Sequence, residues 1–162
     1  MARIQGERGF YTAVVCRDGH VLTAVKEIRP ETATPFCPHC ASPTLDSCES
    51  CGQPIPGEAM GSFFGGYVPP VYCRYCAAPM PWTAARLDAL RDLTAIQEGL
   101  SDDERATLNR SWDELTRDTA RTQVAVVHVK RLLPKLAGAG ADAMRKILTE
   151  VATAEVRRQM GL

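Results

Sequence analysis

Three cysteine pairs of the form C-x-x-C occur within forty positions of one another: Cys37-Pro-His-Cys40, Cys48-Glu-Ser-Cys51 and Cys73-Arg-Tyr-Cys76. Nothing else in the chain restricts its fold as strongly. A two-residue gap lets both sulfurs of one turn converge on a single ion at about 2.3 Å, while nearby backbone N–H groups stabilise the thiolates. The seventh cysteine, Cys16, opens Cys16-Arg-Asp-Gly-His20, a C-x-x-x-H pair with a glycine where a tight turn needs positive φ. Seven cysteines and His20 make eight donors, the number that closes two tetrahedral zinc sites with none left over. An odd cysteine count without an export signal argues against a disulfide framework and for a reducing compartment. The expected cofactor is Zn2+, two structural ions per chain.

The pairing follows from reach. Only residues 41–47 separate Cys40 from Cys48, about 23 Å if extended, which leaves little room for an out-and-back hairpin. Sequential closure is therefore favoured: Cys16, His20, Cys37 and Cys40 on one ion, Cys48, Cys51, Cys73 and Cys76 on the other. A cross-braced or nested arrangement stays open.

Composition divides the chain. All seven cysteines and ten of the eleven prolines precede residue 83, after which Ala, Leu, Arg, Asp and Glu dominate. The expected fold class is α+β: a double zinc-ribbon or zinc-knuckle region over 1–82 with short strands, then a helical domain over 83–162 of three to four helices. In the first region, residues 21–28 read as a ribbon strand paired with residues 10–15. So little apolar surface cannot hold a fold without metal, since a structural zinc contributes about 10–16 kcal/mol.

In the second region, Leu87, Leu90, Leu93 and Ile96 form the apolar face of a helix over 83–98. Ser101 and Glu104 fit a capping box opening a helix that buries Leu108, Trp112 and Leu115. Residues 119–137 read as a helix kinked or interrupted at Pro134, with Val124, Val126, Val127, Val129 and Leu132 forming a near-continuous apolar surface. Arg121-Thr-Gln123 reads as its N-terminus, and His128 as a packing residue within it. Met144, Ile147, Leu148, Val151 and Ala154 mark a fourth helix, and the third or fourth helix offers a face for a possible homodimer.

Residues 59–73 carry no charge and include Phe63, Phe64 and Tyr67. These aromatics either cover the metal sites and dock on the helices, which is the simpler reading, or form a partner-binding surface.

The motifs Val15-Cys16-x-x-Gly19-His20-Val21, Phe36-Cys37-x-x-Cys40, Gly66-Tyr67-x-Pro69-Pro70-x-Tyr72-Cys73-x-x-Cys76-x-x-Pro79-x-Pro81-Trp82-Thr83 and Asp118-Thr119-x-Arg121-Thr122-Gln123-Val124 resemble a bacterial family of uncharacterised proteins with N-terminal knuckles and a helical C-terminal region. The resemblance covers most of the chain and implies the architecture, with no established activity. One departure is visible. Gly52 follows the second cysteine of its knuckle, but Ala41 and Ala77 stand at the equivalent positions, which predicts differently shaped turns.

The function classes narrow accordingly. Eight donors for two ions leave no open position for a catalytic zinc, and the H-x-E deaminase pattern, P-loop, G-x-G-x-x-G and G-x-S-x-G are absent, so an enzyme is not expected. Nineteen basic residues balance nineteen acidic ones, without the basic excess of a nonspecific nucleic-acid binder. No apolar run approaches the roughly 20 residues that span a bilayer. The expectation is a cytoplasmic interaction module or adaptor with an unidentified protein partner and no membrane; a nucleic-acid-binding zinc ribbon is the alternative. His39, inside a knuckle, is expected to face solvent.

Overall fold

A computed structural model describes residues 9–61, 66–136 and 138–162. Phe63 and Phe64 lie outside the described residues. The chain forms two compact units, Met1–Thr83 and Ala84–Leu162.

Among the described residues, the first unit contains five short strands: β1 (Phe10–Thr12), β2 (Val14–Cys16), β3 (Val21–Thr23), β4 (Thr44–Leu45) and β5 (Pro56–Ala59). They make two small antiparallel sheets, β1-β5 and β3-β2-β4. The strand expected over 21–28 ends at Thr23, because the Val25 carbonyl accepts the N–H groups of both Ile28 and Arg29 and bends the chain into a turn. Glu27 then reaches back, its carboxylate accepting the Thr12 N–H at 2.9 Å and the Thr12 hydroxyl at 2.6 Å. Burial opposes ionisation of Glu27, but these donors outweigh it and hold its pKa below the usual carboxylate value. The expected pairing of 10–15 with 21–28 is thereby split: β2 pairs with β3, whereas β1 pairs with β5, with Phe10 opposite Ala59. Gly57 in β5 is required by close approach, since a Cβ there would sit 2.1 Å from the Ala24 carbonyl oxygen.

This unit's core is small: Ala13, Val15, Ile55, Met80 and Trp82 pack with Cys48 and Cys73, and Leu45 and Tyr67 close its margin. The stretch from Gly66 to Thr83 is held by its own polar atoms. Tyr67 donates its hydroxyl to the Pro56 carbonyl at 2.6 Å, the Trp82 indole donates to Pro70 O at 2.9 Å, and the Thr83 hydroxyl to Val71 O at 2.8 Å. Burial pushes the Tyr67 phenol up to about 12.

The second unit contains most of α1 (Pro81–Ala95), together with α2 (Asp102–Leu115), α3 (Ala120–Leu132), α4 (Gly138–Val151) and α5 (Ala154–Met160). Among the described residues there are thus five α-helices rather than three to four. The expected fourth helix breaks after Val151, and Thr153 caps a new one by accepting the Val156 N–H. The Ser101–Glu104 capping box opens α2 as expected. At Pro134 the chain leaves α3 through a single 3-10 turn, Leu133–Lys135.

Leu90, Leu108, Trp112, Leu115, Val129, Met144 and Leu148 form the centre of this core, each with no more than trace exposure. A buried polar pair crosses it: the Trp112 indole donates to the Thr94 hydroxyl at 3.0 Å, which itself donates to the Leu90 carbonyl. Ile96 was expected on the apolar face but lies past the end of α1 and is 71% exposed. Val124 and Val127 are also exposed, so the apolar surface of α3 is a stripe through Ala125, Val126, Val129 and Leu132. His128 is exposed rather than packed, because position 128 falls on the flank of that stripe. Among the described residues, no helix is long and apolar enough to cross a membrane.

Candidate metal centres

The three C-x-x-C segments fold identically. In each, the first cysteine's N–H donates to the carbonyl five residues on (Ser42, Gln53 and Ala78), and the residue after the second cysteine donates back to the first cysteine's carbonyl. Each knuckle is closed by an isolated bridge to a proline: Phe36 with Pro43, Ser47 with Pro54 and Tyr72 with Pro79. The residue after the second cysteine takes a left-handed backbone in all three, φ 58° at Ala41, 71° at Gly52 and 58° at Ala77. The differently shaped turns predicted at Ala41 and Ala77 are therefore corrected. Two hydrogen bonds fix the geometry, and the alanines bear the strain. The underlying repeat, C-x-x-C-[AG]-x-P, is written in the sequence and was the signal for this threefold identity.

The fourth element is the turn between β2 and β3. The Cys16 N–H donates to the His20 carbonyl, Gly19 has φ 91°, and the His20 N–H points at Cys16 Sγ from 3.3 Å. The β2–β4 pairing, with Cys16 opposite Thr44, holds this turn beside the knuckle of Cys37 and Cys40.

Two tetrads result. Cys16, His20, Cys37 and Cys40 bring their donor atoms within 4.8 Å of one another, as do Cys48, Cys51, Cys73 and Cys76. The grouping is sequential. The distances permit a fit test. Sulfurs about 2.3 Å from a central ion at tetrahedral angles stand about 3.8 Å apart, and a sulfur and an imidazole nitrogen about 3.6 Å apart. Cys16 and Cys40 Sγ are 3.7 Å apart, Cys48 and Cys76 Sγ 3.8 Å, and Cys51 and Cys73 Sγ 3.7 Å. His20 Nδ1 lies 3.4 Å from Cys16 Sγ and 3.7 Å from Cys37 Sγ. Both donor sets fit a tetrahedral thiophilic ion.

Electrostatics point the same way. Burial raises the Cys73 thiol, but the N–H groups of Tyr75 and Cys76 outweigh it and bring it to about 7. The same balance lowers Cys37, where His39 and Cys40 supply the N–H groups. Cys40 and Cys51 behave oppositely. The Gln53 N–H favours the Cys51 thiolate, yet burial and the neighbouring sulfurs push it up to about 12. Four thiols this close cannot all ionise unless a cation joins them.

In each knuckle the first cysteine is buried and the second exposed. His39 is exposed and stands aside from the donor set, its ring 5.6 Å from that of His20. Of the three candidate partner-binding residues, only Tyr67 falls within the described residues, where it packs on the unit's core.

A surface feature that sequence reading did not single out lies beside the third knuckle. Arg74 places its guanidinium 5.3 Å from the centre of the Phe10 ring and 5.8 Å from that of Tyr75. Both rings are about half exposed, as is Met60, whose N–H donates to Gly9 beside Phe10. No sequence periodicity joins these residues; the β1–β5 pairing brings Met60 to Phe10, and the Arg74 guanidinium links Phe10 to Tyr75.

The model of a family described as uncharacterised proteins conserved in bacteria (DUF2321) matches residues 9–160. No curated protein and no solved structure matches the chain.

Proposed function

The chain belongs to this bacterial family, whose description carries no activity, and from the geometry we propose that it is a zinc-rigidified protein-interaction module or adaptor. The two tetrads hold one structural Zn2+ each, through Cys16, His20, Cys37 and Cys40 and through Cys48, Cys51, Cys73 and Cys76. Zinc is preferred to harder cations because thiolate and imidazole are its usual donors, and four protein donors leave no position for a substrate. Thiols used as ligands also suit a reducing compartment, so the cytoplasm is the proposed location.

The observation that carries the interaction reading is the exposed group of Phe10, Met60 and Tyr75 with Arg74 among them. Aromatics, Met and Arg are the residue types enriched in interface cores. Here they sit on a frame fixed by the third knuckle and the β1–β5 pair, which lowers the ordering cost of binding. Capture of interacting proteins from the source bacterium with wild-type bait and with a Phe10→Ser, Tyr75→Ser variant tests it. A protein retained by the first and lost by the second, with zinc content equal, supports the proposal. Identical captures contradict it.

The same arginine and aromatics could stack on single-stranded bases, which keeps nucleic acid as the second reading. Affinity for an oligonucleotide that falls steeply with added salt would favour that reading over the first.

A further inference from the structure

Two depressions along the second unit share Thr107 and His128 and form one continuous trough between α2 and α3. The larger has a volume of about 700 Å3 and the smaller about 260 Å3. Their linings show that the helices run antiparallel: Glu114 of α2 faces Arg121 of α3 at one end, and Asp103 and Arg131 both line the other. Along α2 the trough follows Asp103, Thr107, Arg110 and Glu114, and along α3 it follows Arg121, Val124, His128 and Arg131. These are spacings of three and four, one face of each helix. From Asp103 to Glu114 the rise is about 16 Å, the span of about five extended residues or three helical turns.

The charges in this trough are unequally engaged. Asp113 is held by Arg91, whose Nη2 lies 2.8 and 2.9 Å from its two carboxylate oxygens. Lys135 sits 2.5 Å from Glu104, which also accepts the Ser101 N–H at 3.0 Å. Glu114 faces Arg121 at 3.8 Å and accepts the Thr119 hydroxyl at 3.4 Å. Asp103 alone of the lining carboxylates is in no ion pair among the described residues, and it stands at the end that Arg131 also lines. The cations differ. Arg110 reaches only the Thr107 hydroxyl, at 3.2 Å, and neither Arg110 nor Arg131 meets a carboxylate among the described residues. Both are exposed, as are His128 and Val124. The trough therefore presents two arginines that are in no ion pair among the described residues, Arg110 along its middle and Arg131 toward the Asp103 end, beside the exposed Val124.

We propose that the α2–α3 trough is a docking groove for an acidic peptide segment of a partner protein, its carboxylates pairing with Arg110 and Arg131 and an apolar side chain resting on Val124. Charge complementarity selects the acidic class, and the length and volume suit a peptide rather than a single small anion. The groove belongs to the second unit and the Phe10, Met60 and Tyr75 surface to the first, so either assignment stands without the other.

Fluorescence anisotropy on the full, metal-loaded chain at low salt is the test. The probe is a labelled peptide of about twelve residues alternating pairs of Glu and Leu. Its controls are the same peptide with Gln for Glu, and a labelled oligothymidylate. The proposal expects saturable binding of the acidic peptide alone, weakened about ten-fold or more in an Arg110→Glu, Arg131→Glu variant. Tyr75→Ser, on the other unit, should leave it unchanged, which separates failure here from failure of the interaction surface above. Should the charge reversal disturb the helical circular dichroism, Arg110→Gln with Arg131→Gln replaces it, with a smaller loss expected. No binding by the wild type, equal binding of the Gln peptide, preference for the oligothymidylate, or undiminished binding by the folded variants would each overturn the proposal.

Discussion

Ala41 and Ala77 occupy a left-handed backbone that costs an L-residue about 1–2 kcal/mol, at the position where the middle knuckle has Gly52. A Cβ at Gly52 would meet nothing within 4 Å, so Gly52→Ala isolates that backbone cost. The expected outcome is a loss of about 1 kcal/mol for Gly52→Ala and a gain of about 0.5–1 kcal/mol for Ala41→Gly, the gain being reduced by the greater freedom of glycine in the unfolded chain. Thermal melts in excess zinc read both. A destabilising Ala41→Gly would mean that the methyl group makes a contact worth more than the strain. In the second unit, Thr94→Val removes the acceptor that the Trp112 indole N–H has among the described residues, in a fully buried setting. That substitution nearly preserves volume, so the expected loss of about 1–3 kcal/mol in chemical denaturation reports the stranded donor. A loss under about 0.5 kcal/mol would show that the indole finds another partner.

At the scale of elements, the most sensitive point outside the donor sets is Gly57 in β5. An added methyl would press on the Ala24 and Tyr11 carbonyl oxygens at 2.1 and 2.9 Å, all of it backbone that a rotamer change cannot relieve. Gly57→Ala is expected to cost about 3 kcal/mol or more and to make zinc easier to extract from the first unit. Unchanged extraction by a chelator would contradict that. What the sequence disclosed about the elements follows their physics. The knuckles are local, each closed within a few residues, so spacing alone located them. The α2 cap and the Leu108, Trp112, Leu115 stripe were legible for the same reason. β4 and β5 were not, because a two-residue and a four-residue strand exist only through partners far along the chain, and a Pro-Gly dipeptide such as Pro56-Gly57 ordinarily marks a turn. The break at Thr153 was hidden inside an apolar pattern that continues in phase across it. Exposed Val124 and Val127 show why a β-branched run overstates a buried face: each turn of α3 carries part of the run outward whatever its hydropathy.

For the whole molecule, the two units rest on different foundations. Residues 84–162 enclose a large core of leucines, valines, methionines and a tryptophan, which is enough for an ordinary domain. The first unit has only a handful of apolar side chains outside its cysteines. Removing metal with a strong chelator should therefore abolish the dispersed amide signals of residues 9–83 while the helical circular dichroism is largely retained. Loss of both together would show that the helical unit depends on the metal as well. Cys48→Ser should release one ion and loosen the first unit in the same selective way. Eight donors could be counted from the sequence and their grouping argued from reach, but the fit of the tetrads to one kind of ion needed distances between sulfurs brought together from far apart.

Elemental analysis of the purified chain by plasma mass spectrometry, with thiol titration on the same sample, tests the central claim most directly. Two equivalents of zinc per chain, with all seven thiols recovered once zinc is displaced, is the predicted result. One equivalent or fewer in a well-folded sample, iron in place of zinc, or thiols lost to disulfides would contradict it.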